Sequence, residues 1–302
     1  KEGIIVVESK EINKPSGTLI LEGGAMRGIF TAGVLDAFMD RGYYFPQIVA
    51  ISAGTLQALC YLSRQKERNK RVNLRYANDR RYMGIRHLIR GGDYFNFSFI
   101  FGELAENLMP FDKDTFMTAS ERMLALVTSC DTGKITYISN KGCTWDEYKQ
   151  ACEASCSIPL FSKPVQLGNK LYVDGGVGMP LAPLPEELPF VTKKPVYILT
   201  RDKNYRKKHI HKIERALLSM MLGGSYPKIN ELMATIPERY NEKVEELLQR
   251  EKEGRAFIIR PEHSVHVSRT ERNIHKLRNL YEEGRRIGES RFDEMLRWLC
   301  NA

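Results

Sequence analysis

A short apolar run, a glycine-containing turn and a helical pattern follow one another twice near the amino end of the chain, and this arrangement constrains the fold most. Residues 18–22 (TLILE) predict a buried strand that a glycine pair ends, and apolar residues then recur at helical spacing across residues 28–39. The second unit combines a strand at residues 47–51 (QIVAI) with a helix at residues 55–63 (TLQALCYLS). This alternation predicts a parallel sheet with helices on its faces.

The rest of the chain continues with strands and ends with helices. Further apolar runs predict strands of the same sheet at residues 123–128, 135–139, 171–173 and 196–200. Beyond about residue 209, amphipathic helices are predicted at residues 213–222, 228–253 and 271–300, with one strand-like run at residues 256–260. We therefore expect an α/β core, residues 1–205, with a helical carboxy-terminal extension, residues 206–302, packed on it.

Size and hydropathy place the chain among ordinary globular proteins. It has 302 residues, of which 42% are hydrophobic and 27% are charged. A fold of this size buries roughly three quarters of its unfolded surface, so it needs neither a metal nor a disulfide for stability. No apolar run approaches the ~20 residues of a membrane-spanning helix, and the amino end lacks the pattern of a signal peptide. A cytoplasmic location is expected.

The formal net charge of +9 comes largely from two basic runs, residues 64–90 and residues 201–212. Such runs attract nucleic acid or anionic lipid, or they form a solvated helix face without a partner. A solvated face is the favoured interpretation. No nucleic acid is expected as a partner, because no recognition motif of aromatic and basic residues accompanies the runs. Peripheral contact with an anionic membrane stays open as an alternative.

Cysteine spacing does not predict a metal site. Cys152 and Cys156 lie four residues apart on a predicted helix, but no second cysteine pair and no histidine pair completes a zinc site. Buried thiols in a reducing compartment are the expected state, and no cofactor is predicted. The aromatic stretch DYFNFSFIF, residues 93–101, is open to two interpretations, as core or as the wall of an apolar pocket.

Ser52 lies in AISAG, between the second strand and the second helix. One interpretation is a nucleophile on a strained strand-to-helix turn, which needs small residues two positions before and two positions after the serine. Ala50 and Gly54 meet that need, and the following helix would add its positive dipole end. The other interpretation is an ordinary serine N-cap, which is common at helix starts. The pattern alone does not choose between them.

Two further glycine turns bear on Ser52. In a parallel sheet, the turn EGGAMRG at residues 22–28 lies beside Ser52, and its exposed N–H groups suit an oxyanion hole. The turn lacks the spacing of dinucleotide-binding and phosphate-binding loops, and its Arg27 is expected to fix the turn by hydrogen bonds. Asp174, in LYVDGG, follows a short strand and is the better candidate for a base. Most of the six histidines lie in basic, polar surroundings, so a histidine-dependent hydrolase is only an alternative.

The segments EGGAMRGIFTAGVL, AISAG and VDGG occur in this order and resemble the glycine-rich loop, nucleophile elbow and Asp-Gly-Gly/Ala motif of the patatin-like phospholipases. The resemblance covers roughly residues 18–179 and includes ASCSIPLFSKPV at residues 154–165, which is similar to the stretch before the aspartate motif. It implies a three-layer α/β/α sandwich with a mostly parallel sheet. It also implies a Ser–Asp dyad that works without histidine.

The resemblance implies a role for each motif residue. Ser52 is the expected nucleophile and Asp174 the general base, with a pKa raised by burial beside an apolar acyl pocket. The other positions serve the oxyanion hole (Gly23, Gly24, Ala25), support its loop (Arg27, Gly28) or shape the elbow (Ala50, Gly54). Ala25 and Ala50 stand where the family usually has glycine, so a penalty for positive φ is expected at each.

The implied activity is that of a serine acyl hydrolase that cleaves fatty-acyl esters through an acyl-enzyme. Phospholipids, lysophospholipids and simple lipid esters are all expected substrate classes. The alternative is a lipid-binding or regulatory protein that retains the fold without turnover, which the two added methyl groups motivate. Among the carboxy-terminal residues, Arg269-Thr270-Glu271 is predicted only as a helix cap.

Overall fold

The structure, a computed structural model, describes residues 17–301. Within this range eight strands form one sheet. They are β1 (Thr18–Leu21), β2 (Gln47–Ile51), β3 (Arg122–Ser129), β4 (Ile135–Ser139), β5 (Val165–Leu167), β6 (Lys170–Asp174), β7 (Pro195–Ile198) and β8 (Phe257–Ile259). Their order is β5-β6-β3-β2-β1-β7-β8, and β4 pairs with β3. Five neighbouring strands are parallel to one another: β3, β2, β1, β7 and β8. The strands β4, β5 and β6 pair antiparallel.

Helices cover both faces of the sheet. They are α1 (Ile29–Asp40), α2 (Ala53–Leu62), α3 (Arg68–Tyr76), α4 (Ile85–Ile89), α5 (Phe97–Phe99), α6 (Lys113–Thr118), α7 (Trp145–Cys156), α8 (Gly175–Gly178), α9 (Lys212–Leu222), α10 (Pro227–Ala234), α11 (Ile236–Lys252) and α12 (Ile274–Cys300). The segments Ala25–Gly28 and Pro185–Glu187 are 3₁₀ turns, and Ile100–Leu108 is a π-helix. No helix in the described part of the chain is long and apolar enough to cross a bilayer.

Side-chain alternation along the strands divides the core into two layers, because successive residues of a strand point to opposite faces. Leu19 and Leu21 of β1 join the cluster formed with α1, α2, α7 and α12, whereas Ile20 joins the cluster that contains α11. The parallel strands β1 and β2 are buried on both faces, as expected for the centre of a parallel sheet. The predicted three-layer α/β/α sandwich is therefore confirmed.

The carboxy-terminal part completes the sheet and one helical layer. β8 pairs with β7, and α12 packs along α1 with almost no space between their backbones. A Cβ atom on Gly284 would lie 2.2 Å from the carbonyl oxygen of Phe30, and one on Gly33 would lie 2.2 Å from that of Tyr281. The Tyr281 hydroxyl also donates to buried Asp36 over 2.7 Å. The domain boundary at residue 205 stays a prediction. Of the predicted core, residues 1–16 lie outside the described range.

Two sequence expectations differ from the structure. The helix predicted at residues 228–253 is divided into α10 and α11, because Pro237 lies in the first turn of α11 and cannot donate a backbone hydrogen bond there. The basic run 64–90 is not simply a solvated face. Arg68 in α3 is buried and donates to the carbonyl oxygen of Met109 over 2.6 Å.

The contact between α1 and α12 predicts a strong effect of one methyl group. Gly284→Ala should lower the free energy of unfolding by about 3 kcal/mol, because the new Cβ overlaps the backbone of α1. Urea denaturation measures the change. Gly224→Ala is the matched control, since a Cβ there meets no atom within 4 Å. An effect of Gly284→Ala as small as that of the control would show that the helices do not approach this closely.

Candidate functional site

Ser52 occupies a strained turn between β2 and α2. Its backbone has φ 54° and ψ −128°, a conformation that costs a non-glycine residue on the order of 1–3 kcal/mol. The side chain makes no capping hydrogen bond to α2, so the interpretation as an ordinary N-cap is wrong. The turn is fixed through the backbone instead, as the Ser52 amide donates to Ser155 Oγ over 3.0 Å and Thr55 Oγ1 donates to the Ser52 carbonyl over 2.6 Å.

Small residues allow the chain to pass closely on both sides of Ser52. A Cβ atom on Gly54 would lie 2.9 Å from the carbonyl oxygen of Leu21, so the first turn of α2 packs on the end of β1. A Cβ atom on Gly23 would lie 2.8 Å from the Cβ of Ser52 itself. Ala50 is fully buried within β2 in an extended conformation, so its methyl group incurs no penalty for positive φ.

The glycine-rich turn after β1 presents backbone donors beside Ser52. Among residues 17–301, the N–H groups of Gly23 and Gly24 have no acceptor within hydrogen-bonding distance. Ala25 has φ 50°, so the expected penalty for alanine is present there, at about 1–2 kcal/mol. At the other end of the turn, Gly28 lies against the first residue of α2. The turn therefore has free donors, and its conformation is held by its surroundings.

The support of this turn comes from residues that sequence reasoning missed. Thr200 Oγ1, two residues beyond β7, lies 3.0 Å from Glu22 Oε2 and 3.2 Å from the carbonyl oxygen of Gly23. The Tyr240 hydroxyl donates to Glu22 Oε1 over 3.3 Å, and burial raises the pKa of Glu22. The Arg27 guanidinium, by contrast, has no hydrogen-bond partner in the described part of the chain, so the expectation that its side chain fixes the turn is not met.

The register of β3 brings Asp174 to Ser52. β2 pairs with β3 as far as Leu126, and Asp174, the last residue of β6, pairs with the next residue, Val127. Ser52 follows the last residue of β2, so the two residues come together where β2 and β6 both end. The two residues come from parts of the sequence more than a hundred positions apart, and both are buried.

The environment of Asp174 tunes its acidity. Burial raises the pKa of Asp174 to about 6, although the nearby Ser52 hydroxyl, the Gly176 amide and the positive charges of Arg269 and Lys207 act to lower it. The Gly176 amide donates to Asp174 Oδ1 over 2.7 Å. At neutral pH the carboxylate is thus largely ionised, and it is a stronger base than an exposed aspartate.

Two cavities meet at Ser52. The first is mainly apolar and has a volume of about 890 Å³, including the part open to solvent; α2, α3 and the aromatic stretch 93–101 contribute to its wall. The stretch thus serves both as core and as pocket wall. The second cavity, of about 720 Å³ measured in the same way, has a mixed lining that includes apolar side chains such as Ile158, Leu181 and Met233. We call it the polar cavity because it also contains the charged and polar side chains of Glu22, Arg27, Asp174, Arg201, Lys207, Tyr240 and Arg269.

Comparison with known proteins agrees with this geometry. The family model described as patatin-like phospholipase matches residues 19–185, more than half of the chain. This chain belongs to the patatin-like phospholipase family. A second model, a domain of unknown function named DUF6363, matches residues 226–300. Family membership supports lipid hydrolysis as the class of activity.

Individual relatives of this patatin-like chain are distant. The uncharacterized protein YjjU of Escherichia coli is 31% identical over 173 residues, which is 53% of this chain and 45% of that protein. The probable lipid hydrolase 463L of Invertebrate iridescent virus 6 is 25% identical over 179 residues, 53% of this chain and 59% of that protein. The chain thus spans about half the length of these relatives. The structure of VipD from Legionella pneumophila covers 93% of this chain and 67% of its own, with a TM-score of 0.49 at 13% identity.

Histidines do not take part in this patatin-like site. Of the described residues, none that lines either cavity is a histidine. His87 contacts the carbonyl oxygen of Arg80, and His209 contacts Glu238, both at 2.8 Å. Nor does the described part of the chain contain a group of three or more His, Cys, Asp or Glu side chains arranged to hold a metal ion.

Several residues of the polar cavity lie beyond the patatin-like match and were not predicted. Arg201 and Lys207 line this cavity and belong to the basic run 201–212. The sequence showed the positive charge of this run but did not predict that it lies beside Ser52. Arg269 was predicted only as part of a helix cap. The structure shows instead that the Asn273 side chain caps α12 and that Arg269 lines the cavity.

The raised pKa of Asp174 predicts that this carboxylate destabilises the fold. A shift from 3.8 to about 6 corresponds to roughly 3 kcal/mol, because the folded state binds the proton more tightly than the unfolded state. Asp174→Asn should therefore raise the unfolding free energy at pH 8. The gain should shrink as the pH falls below about 6 and disappear near pH 4. Thermal melts across this range measure it.

Asp131→Asn, in the exposed turn between β3 and β4, is the control and should change stability little. A loss of stability in Asp174→Asn at pH 8 would contradict the assignment of a strained, buried carboxylate.

Proposed function

We propose that this protein is a serine acyl hydrolase that cleaves fatty-acyl esters, with Ser52 as nucleophile and Asp174 as general base. One observation carries the proposal: the strand register brings Ser52, held on a strained turn, and the buried Asp174 into the wall of one cavity, where burial raises the pKa of the carboxyl to about 6. Family membership and the relative named as a probable lipid hydrolase support the same class of reaction.

In the proposed mechanism, Asp174 accepts the Ser52 proton as Oγ attacks the ester carbonyl carbon. The carbonyl electron pair moves to oxygen, and the N–H groups of Gly23, Gly24 and Ala25 stabilise the resulting oxyanion. One such donor contributes about 2.7–4 kcal/mol to the transition state. When the C–O bond breaks, the leaving alcohol takes the proton from Asp174, and acyl-Ser52 remains. Water then attacks the acyl group with Asp174 again as base, which releases the fatty acid and restores Ser52.

The two cavities give the substrate an orientation. The apolar cavity suits an acyl chain, since it is lined by side chains such as Leu56, Val72 and Phe97. The polar cavity lies on the other side of Ser52 and would hold the alcohol part of the ester. Because Ser52 and Ala25 line both cavities, an ester with its acyl chain in one and its alcohol in the other presents the scissile bond to the nucleophile.

One observation favours the alternative of lipid binding without turnover. Ala25 holds a left-handed φ of 50°, so this part of the proposed oxyanion hole depends on a strained alanine. Tight binding of fatty-acyl lipids with no hydrolysis across acyl chain lengths would support this alternative. The cytoplasmic location stays a prediction from the sequence.

We also propose that α9 is a peripheral contact with an anionic membrane. Ile213, Leu217, Met220 and Met221 follow helical spacing on one face of α9 and are 83%, 52%, 77% and 53% exposed, so this face is not packed into the core. The basic run 201–212 directly precedes this face and provides charge complementary to anionic lipid. The helix packs on α10, whose Met233 lines the polar cavity.

The nucleophile is tested by covalent labelling. A fluorophosphonate probe should label the wild-type protein, and Ser52→Ala should abolish both labelling and hydrolysis of p-nitrophenyl acyl esters. Ser63→Ala is the matched control, because this buried serine hydrogen-bonds within its own turn and should leave labelling intact. Mass spectrometry locates the label. Labelling that persists in Ser52→Ala would rule out the proposed nucleophile.

Membrane contact is tested by co-sedimentation with vesicles of phosphatidylglycerol and phosphatidylcholine. Ile213→Glu combined with Met220→Glu should weaken binding at least about tenfold, since burial of one such side chain contributes roughly 1.5–3 kcal/mol. Val191→Glu replaces a side chain that is 90% exposed elsewhere and should leave binding unchanged. Equal binding of the double variant and the wild type, or binding that is insensitive to lipid charge, would exclude α9 as the contact.

A further inference from the structure

The apolar cavity extends away from Ser52 along helix α2. Ser52, Leu56 and Cys60 follow one another at intervals of four residues, and all three line this cavity. Because a helix rises by about 1.5 Å per residue, Cys60 lies about 12 Å further along the helix axis than Ser52. The cavity therefore has the proposed nucleophile at one end and Cys60 towards the other.

Helix α7 gives the length of this cavity independently. The Sγ atom of Cys156, the last residue of α7, lies 3.5 Å from Thr55 Oγ1 in the first turn of α2, so Cys156 lines the cavity near Ser52. Trp145, the first residue of α7, also lines the cavity. The rise of the helix from Trp145 to Cys156 is about 16 Å. The two helices thus place the far end of the cavity about 12–16 Å from Ser52.

Four side chains form this far end, which we call the end wall: Cys60, Arg68, Phe111 and Trp145. Arg68 Nη1 lies 3.5 Å from Cys60 Sγ. The Arg68 guanidinium lies 5.5 Å from the centre of the Phe111 ring, which stacks on Trp145 with 4.9 Å between the ring centres. These contacts connect the end of α2 to the start of α7, so the end wall lies across the cavity between the two helices.

Arg68 makes the end wall polar, although the cavity is mainly apolar. Arg68 is only 8% exposed, and it donates from Nη2 to the carbonyl oxygen of Met109 over 2.6 Å and from Nη1 to the Cys60 thiol. Both partners are neutral, since burial raises the pKa of Cys60. Each of these nitrogens carries a second N–H group, for which residues 17–301 provide no acceptor, so water has to hydrate it. An acyl methyl group pressed against Arg68 would displace this water and offer no acceptor in return.

We propose that the substrates are esters of fatty acids with about ten to fourteen carbons, and that Arg68 and Trp145 in the end wall set the upper limit. The inference rests on the proposed hydrolase function and adds to it the length of the acyl group. An extended chain advances about 1.2 Å per bond, so a cavity of about 12–16 Å holds about ten to thirteen bonds. Each CH₂ group buried up to that length should raise kcat/KM about fourfold. Longer chains have to fold back or dehydrate Arg68.

The dependence of hydrolysis on acyl length tests the end wall. The substrates are p-nitrophenyl decanoate, dodecanoate, tetradecanoate and hexadecanoate, each in the same neutral detergent micelles. The wild type should prefer dodecanoate over hexadecanoate by at least about tenfold in kcat/KM, because the longer chain dehydrates a charged group. Arg68→Met removes the charge and Trp145→Ala opens the wall, so each should lower this ratio about tenfold. Partition of the esters into micelles is the same for every variant and cancels when the ratios are compared.

Each variant of the end wall has a matched control. Trp298→Ala should leave the ratio unchanged, because Trp298 packs against Phe257 outside the apolar cavity. Arg68→Lys retains the charge and should keep the preference for dodecanoate; a loss as large as that in Arg68→Met would overturn the role of the charge. If Arg68→Met fails to fold, Trp145→Ala still decides the question, since Trp145 is only half-buried. A wild-type ratio near one, or a folded end-wall variant with the wild-type ratio, would overturn the proposal.

Binding without turnover separates this inference from the proposed hydrolase function. Ser52→Ala combined with Trp298→Phe leaves Trp145 as the only tryptophan of the chain. Methyl ω-bromododecanoate should quench its fluorescence, because the bromine reaches the end wall. Methyl α-bromododecanoate places the bromine near residue 52 and should quench little, and equal quenching by both esters would overturn the proposed orientation.

The two measurements together show which proposal fails. If the ω-bromo ester quenches selectively but the wild type hydrolyses no ester, the acyl site and its length stand and the hydrolase proposal fails. If esters are hydrolysed without a preference for dodecanoate and without selective quenching, the inference about acyl length fails alone.

Discussion

The close approach of the glycine-rich turn to the start of α2 is the constraint on which the site depends. Gly54 lets the helix pack on the carbonyl of Leu21, and Gly23 lies directly against Ser52. With a side chain at either position, the two turns would have to separate by a large part of an ångström. Because the two turns pack this closely, Ser52 keeps its strained backbone, and the free N–H groups of the glycine-rich turn stay beside its hydroxyl. The strain is offset by the buried parallel strands on either side.

The second half of the site follows from the sheet. β6 pairs with β3 beyond the point where β2 ends, so Asp174 lies beside Ser52 at the same end of the sheet. The same edge separates an apolar cavity from a cationic one. The patatin-like region supplies the proposed dyad, and the following residues supply Tyr240 and most of the positive charge. The carboxy-terminal part is therefore structural, through β8 and α12, and also contributes to the site.

Local sequence patterns predicted seven of the eight strands, all but β5, together with the two turns and the motif residues, because strand and helix periods and glycine positions are local properties. Resemblance to the family then joined Ser52 with Asp174, which periodicity alone does not do. The unpaired state of Arg27 could not be predicted, since it depends on which acceptors tertiary packing leaves out of reach. The burial of Arg68 in α3 could not be predicted for a related reason. The basic residues of this helix indicated a solvated face, although the Arg68 side chain donates to a carbonyl oxygen inside the protein.

The central claim is that Ser52 acts beneath the free N–H groups of the glycine-rich turn. Its most direct test is a crystal structure of the protein after reaction with an alkyl phosphonate ester. We expect a bond from phosphorus to Ser52 Oγ, with the phosphonyl oxygen within about 3 Å of the amide nitrogens of Gly23 and Gly24. The alkyl chain should enter the apolar cavity. A phosphonate bonded to another residue, or bonded to Ser52 with its oxygen turned away from both amides, would contradict it.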